Sequence, residues 1–213
     1  AVNDSPHIET VKIGNRLSLL FHGFATRLFD FHGTGLCSYL ATKKFIKWAD
    51  KWKPDMVWLH NLHGYYLNFQ LLFKWLKQHP EIEVKWNLHD CWAYTGHCSH
   101  FQVTGCERWK VGCCNCPERN EYPRTYGFSA AKYNWNAKRR AFLGIGKLEI
   151  ITPSRWLANL TGQSFLGGYP INVIRHPFDT ETFKPTPSDF RDRFGLKDKI
   201  IVLGVATVWD RRK

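Results

Sequence analysis

Residues 54–90, PDMVWLHNLHGYYLNFQLLFKWLKQHPEIEVKWNLHD, carry the pattern on which the fold turns. Met56-Val-Trp-Leu59 is a short apolar run of strand length, and residues 84–88 read as a second strand. Between them Leu71, Leu72, Trp75 and Leu76 recur at helical spacing, which predicts a helix over residues 67–78 that ends near Pro80. Strand, helix, strand in this order is the unit of a parallel sheet. Each strand runs into polar residues: His60-Asn-Leu-His-Gly64 after the first, His89-Asp90 after the second.

Working outward, Gly33-Thr-Gly35 precedes a helix whose stripe is Cys37, Ala41, Phe45, Trp48 and Trp52, with Lys51 and Lys53 at its end and Pro54 stopping it. The first thirty residues read as loop and short strand. Downstream, residues 91–123 show neither period, and too long a connection of this kind is usually functional or stapled. A helix at 129–142 with Ser129 as N-cap follows, then a strand at 148–151 and a helix opened by Thr152-Pro-Ser154. A strand at 171–174, a proline-punctuated linker, a short helix at 188–194 and a strand at 200–205 complete the chain. The fold class is therefore α/β, a mostly parallel sheet with helices on both faces. Ligands of such sheets sit beyond the C-terminal strand ends. That singles out His60, Asn61 and His63, His89 and Asp90, and Ser154 and Arg155 as substrate-facing.

With 44% hydrophobic and 23% charged residues among 213, the composition excludes disorder, collagen and coiled coil. A net charge of +12 points to anionic partners. No apolar run approaches the ~20 residues of a membrane span, and no charged-then-apolar leader opens the chain. The expectation is a cytosolic protein adjacent to a membrane. The sequence begins without Met and ends at Lys213 just after the apolar run 200–206, so it reads as a piece of a longer chain.

Five of seven cysteines fall within nineteen residues. Without a secretory leader, such clustering favours a metal over disulfides. Cys98, Cys106, Cys113 and Cys116 match the tetrahedral preference of structural zinc, the last two as C-x2-C, with Cys114, His97 and His100 as alternative ligands. Four sulfurs leave no open position, so this zinc would staple the loop, which has few apolar side chains to order it, and would do no catalysis. Cys37 and Cys91 read as packing residues. His60 and His63 make a weak metal pair. Between 122 and 148, Arg124, Lys132, Lys138, Arg139, Arg140 and Lys147 interleave with Phe128, Tyr133, Trp135 and Phe142 and no acid, which reads as a solvated helix face or a docking face for anionic lipid or nucleic acid. Asp210-Arg-Arg-Lys213 is placed to neutralise a diphosphate.

Seven segments in order resemble bacterial glycosyltransferase family 4, the retaining GT-B enzymes, and within it the colanic-acid and exopolysaccharide branch. They are Arg27-Leu-Phe-Asp-Phe-His-Gly33, residues 54–68, Trp86-Asn-Leu-His-Asp-Cys-Trp-Ala-Tyr-Thr-Gly-His-Cys98, Cys113-Cys-Asn-Cys-Pro117, Thr152-Pro-Ser-Arg-Trp-Leu157, Val173-Ile-Arg-His-Pro-Phe-Asp179 and residues 205–213. The resemblance implies an acceptor-side Rossmann-like domain over 1–185, with a cysteine-rich insertion at 91–123, and the start of a nucleotide-sugar domain over 186–213. It implies that His89, with Asp90, approaches the transferred sugar and that Lys213 and Arg212 grip the diphosphate of a UDP- or GDP-sugar. A glycan or lipid-linked acceptor, no catalytic metal, no nucleic acid, and a place on the inner face of the membrane are implied with it. The chain departs from the family in lacking its opening strand and its paired glutamates, and in having His176 where Asn is usual, so by itself it is expected to be inactive. The rival readings are a zinc-stapled nucleic-acid-binding module and a non-catalytic homologue.

Overall fold

The computed structural model describes residues 9–205 and residue 209. The chain forms two compact units, Ala1–Arg175 and His176–Lys213. In the first, helices α1 (Arg16–Phe29) and α2 (Tyr39–Trp52) lead to β1 (Met56–His60), α3 (Phe69–Gln78) and β2 (Glu83–Asn87). Short 3₁₀ turns at Trp92–Tyr94 and Arg108–Lys110 interrupt a long irregular segment, and α4 (Ala131–Phe142), β3 (Leu148–Thr152), α5 (Arg155–Gly162) and β4 (Ile171–Val173) follow. The four strands make one sheet, ordered β1-β2-β3-β4 and parallel throughout.

One face of the sheet buries Leu59, Val84, Trp86, Leu148 and Ile150. The aromatic centre of the core lies there: Phe142 of α4 meets Phe73 of α3 at 4.5 Å, Trp86 at 4.8 Å and Phe69 at 5.1 Å between ring centroids. The other face is covered only in part, contrary to the expectation of helices on both. Register puts Trp58, Lys85 and Glu149 side by side on it. Lys85 lies 3.6 Å from Glu83 and 4.0 Å from Glu149, so this face is partly built from charges that water can reach.

Three expectations need correction. The first thirty residues contain α1, capped at Asn15: its side chain accepts the Ser18 amide at 2.9 Å, and Ser18 Oγ accepts the Asn15 amide at 3.0 Å. Segment 91–123 is irregular but not poor in apolar contacts, because Trp92, Tyr94, Phe101 and Trp109 are all buried. Phe101 stacks on Trp109 at 5.0 Å, and Tyr94 meets the same ring at 5.2 Å. The run at 200–205 forms no strand among the described residues, and Ile200 is 95% exposed. An extended run needs a neighbouring strand to satisfy its backbone. The second unit has one short helix, α6 (Phe190–Arg193), where Phe190 meets Phe194 at 4.8 Å.

Asp30, the C-cap of α1 with a left-handed φ of 58°, gathers the first unit. Its Oδ1 accepts from His97 Nδ1 at 2.6 Å and His32 Nε2 at 2.7 Å, and its Oδ2 from the Ala130 amide at 2.7 Å. Asn134 of α4 donates to its carbonyl at 2.5 Å. Burial pushes this carboxyl up, but the two histidine hydrogen bonds outweigh it and hold Asp30 well below the usual carboxylate range. Asp30 therefore caps α4 from a hundred residues away, in place of Ser129. The Ser129 hydroxyl is only a weak acceptor for the Ala131 amide, at 3.4 Å.

Candidate functional site

β1 and β2 pair with His60 opposite Asn87, so the loops after both strands leave the sheet at one end. Asn61 turns the chain sharply there with φ 41°. His60 Nδ1 lies 3.3 Å from His89 Nε2, with the rings stacked at 5.6 Å. In that contact one nitrogen carries the proton and the other accepts it. His63 Nε2 donates to Asp90 Oδ2 at 3.0 Å, and the Trp92 amide donates to Asp90 Oδ1 at 2.9 Å. Burial raises the Asp90 pKa, but the His63 hydrogen bond and charge, with the Trp92 amide, outweigh it and lower the carboxyl overall. Asp90 is thus an ionised acceptor.

His89 and Asp90 are neighbours in sequence, but they serve different partners across the loop after β1. Asp90 orients His63. Asn61, His63, Asn87, His89, Asp90 and Trp92 line one small pocket. Its polar groups suit the recognition of hydroxyls, with donors and acceptors fixed in place by the sheet.

Ser154 and Arg155 follow β3 and are not among the residues lining this pocket. The Ser154 hydroxyl accepts the Leu157 amide at 3.2 Å as the N-cap of α5, and Arg155 is exposed. Arg212 and Lys213 lie outside the described residues.

Two residues of the site went unread in the sequence. Trp92 packs its ring 5.3 Å from His63, and Lys138 supports Trp92 from below. Lys138 is fully buried; its ammonium donates to the carbonyls of Trp92 at 2.6 Å and Thr95 at 2.9 Å and sits 3.7 Å above the Trp92 ring. Lys138 is thereby removed from the expected basic face, whereas Arg124, Lys132, Arg139, Arg140 and Lys147 are exposed. Lys138, Trp135 and Phe142 belong to the interior, and the Lys77 and Lys147 ammoniums bond to backbone carbonyls of Arg140 and Glu81.

The chain is 33% identical over 138 residues to an Escherichia coli (strain K12) protein described as "Putative colanic acid biosynthesis glycosyl transferase WcaC". The match covers 61% of this chain and 32% of that protein. The chain thus spans about a third of its relative. No family profile matches, and no solved structure matches significantly. Among the described residues, no helix is long and apolar enough to cross a membrane.

The cysteines fall into two groups, and none is in a disulfide. Cys37 and Cys91 are buried, and burial raises each thiol to about 11, as packing residues require. Cys98, Cys106, Cys113 and Cys116 line a second small pocket together with His97. Cys114 and His100 are exposed. Among the described residues, the metal-ligating side chains with three ligand atoms within 4.8 Å of one another are Asp30, His32 and His97. The sulfurs therefore converge on one pocket without closing to that spacing.

Proposed function

We propose that the protein takes part in transferring a sugar from a UDP- or GDP-sugar to a glycan or lipid-linked glycan acceptor with retained configuration, and that this chain supplies the acceptor-side sheet. The observation that carries the reading is the meeting of His60, His63, His89 and Asp90 at the C-terminal end of two parallel strands, in a chain similar to a glycosyl transferase. Asp90, ionised and locked to His63, accepts from sugar hydroxyls. His89, steadied by His60, stands at the transferred sugar and gives or takes a proton there. Arg212 and Lys213 are assigned to the leaving diphosphate, whose charge fixed cations stabilise without a metal. In the complete enzyme, His89→Ala should lower transfer by at least ~100-fold, as loss of such a group does, with the melting temperature unchanged. Turnover within a few-fold of the parent would remove His89 from the reaction.

The same reading places the protein on the cytoplasmic face of the membrane. Support comes from α1, which turns its large apolar side chains outward: Leu17 is 74% exposed, and Leu20, Phe21 and Phe24 are more than half exposed. With Arg16 and Arg27 exposed on the same helix and a net charge of +12, this stripe suits an anionic lipid surface better than the run after residue 122 does.

A further inference from the structure

We propose that segment 91–123 holds a structural zinc ion on Cys98, Cys113, Cys116 and the Nε2 atom of His97, with Asp30 as the carboxylate behind the histidine. The inference is independent of the glycosyl-transfer reading. It starts from an unpaired atom. His97 is 1% exposed, its Nδ1 is bound to Asp30 Oδ1 at 2.6 Å, and its Nε2 is buried with no hydrogen-bond partner. An ionised carboxylate on Nδ1 keeps the proton on that side and leaves Nε2 with a bare lone pair. A buried polar atom without a partner costs about 1–3 kcal/mol. A lone pair of this kind is what a cation completes, and carboxylate–histidine–zinc is a recurring arrangement for it.

The pocket that His97 lines is rich in sulfur. His97 lines the same pocket as five cysteines, of which Cys114 is exposed, and the space inside, about 10 Å³, matches one ion or water and no organic ligand. Cys98 interacts electrostatically with Cys116, Cys113 and Cys106. Cys113 Sγ accepts the Gly96 amide at 3.2 Å, a contact that suits a thiolate. That approach depends on Gly96 itself, since a Cβ there would lie 2.1 Å from the Ala131 carbonyl oxygen and 2.8 Å from Cys113 Cβ. Cys98 interacts more strongly with Cys116 and Cys113 than with Cys106, and Cys113 more strongly with Cys116 than with Cys106. The proposed set therefore takes His97 in place of the Cys106 expected from sequence.

Charge supports the same set. Zinc with three thiolates and a neutral imidazole carries a net charge of −1. The buried Lys138 ammonium interacts electrostatically with Cys98 and Cys113 and offsets it. Binding releases the three thiol protons to solvent, and no electron changes hands. Zinc–sulfur bonds of ~2.3 Å would draw the sulfurs together.

The test is elemental analysis of the whole protein purified without added metal, together with replacement of the ion by cobalt(II). One zinc per chain and a cobalt spectrum with charge-transfer intensity for three thiolates are expected. Cys116→Ser should lose the metal and Cys106→Ser should keep it. Asp30→Asn should weaken zinc roughly 10–100-fold in chelator competition, as loss of an outer-shell partner does. Zinc-free protein would overturn the proposal. A four-thiolate cobalt spectrum, or zinc lost from Cys106→Ser and kept by His97→Gln, would overturn the ligand set. The cobalt spectrum counts thiolates in the unmutated chain, so a variant that fails to fold does not blunt the test.

Discussion

Lys138 sits on α4 among Lys132, Arg139 and Arg140, and by spacing nothing distinguishes it from them. Its burial is set by Trp92 and Thr95, whose carbonyls reach it from about forty residues away. Burial lowers its pKa to about 7, with the charges of Cys113 and Cys98 opposing the drop. Lys138→Met keeps most of the volume but leaves two carbonyls unpaired, so urea unfolding should show a loss of about 3 kcal/mol. A loss below about 1 kcal/mol would mean that water replaces the ammonium. His22 is the acid-sensitive counterpart. It is buried on α1 and donates through Nδ1 to Ser38 Oγ at 2.8 Å, while the Ser38 hydroxyl donates to the Tyr65 carbonyl. Burial, then the charge of His32, lowers its pKa from 6.5 to about 4. Between these values the unfolded chain binds a proton that the folded chain refuses. The stability tied to His22 is therefore complete above pH 6.5 and is lost as the pH falls to about 4, up to about 3 kcal/mol. Thermal melts of the parent and His22→Gln across that window should converge as the pH drops; parallel curves would show that His22 does not titrate there.

At the scale of elements, the helices with inward stripes were legible. Phe45 and Trp48 of α2, and Leu72, Trp75 and Leu76 of α3, turn inward as their spacing requires. Helix α1 was not read because its stripe is reversed. Leu17, Leu20, Phe21, Phe24 and Leu28 recur at helical intervals, yet they face outward, while His22, Gly23, Ala25 and Thr26 are buried. Periodicity does hold the signal there, but its cap, Asn15 with Ser18, lacks the usual acidic partner, and an outward stripe is not what a core search seeks. The prediction that belongs to α1 concerns lipid. The Leu20→Asp, Phe24→Asp double variant should lose binding to vesicles containing anionic lipid, and parent binding should weaken with salt. Equal sedimentation of parent and variant would take the membrane contact away from this helix.

For the whole molecule, the parallel α/β sheet follows from the alternation of strands and helices, and every strand end named from sequence is a strand end in the first unit. The site was legible as positions and not as pairs. His89 and Asp90 were read as one unit because they adjoin, whereas register between β1 and β2 pairs each with a histidine of the other loop. Segment 91–123 was legible only as a departure from period; its order comes from rings and from Asp30, contacts that no local pattern encodes.

The reach of Asp30 has a consequence during synthesis. Helix α1 is complete by residue 29, but its C-cap is held by His97, Ala130 and Asn134, the last 104 residues further on. At about 5–20 residues per second, α1 waits roughly 5–20 s before the groups that secure it emerge. Throughout that interval its apolar stripe is carried by a helix that has its own N-cap but not yet the contacts that hold its C-cap.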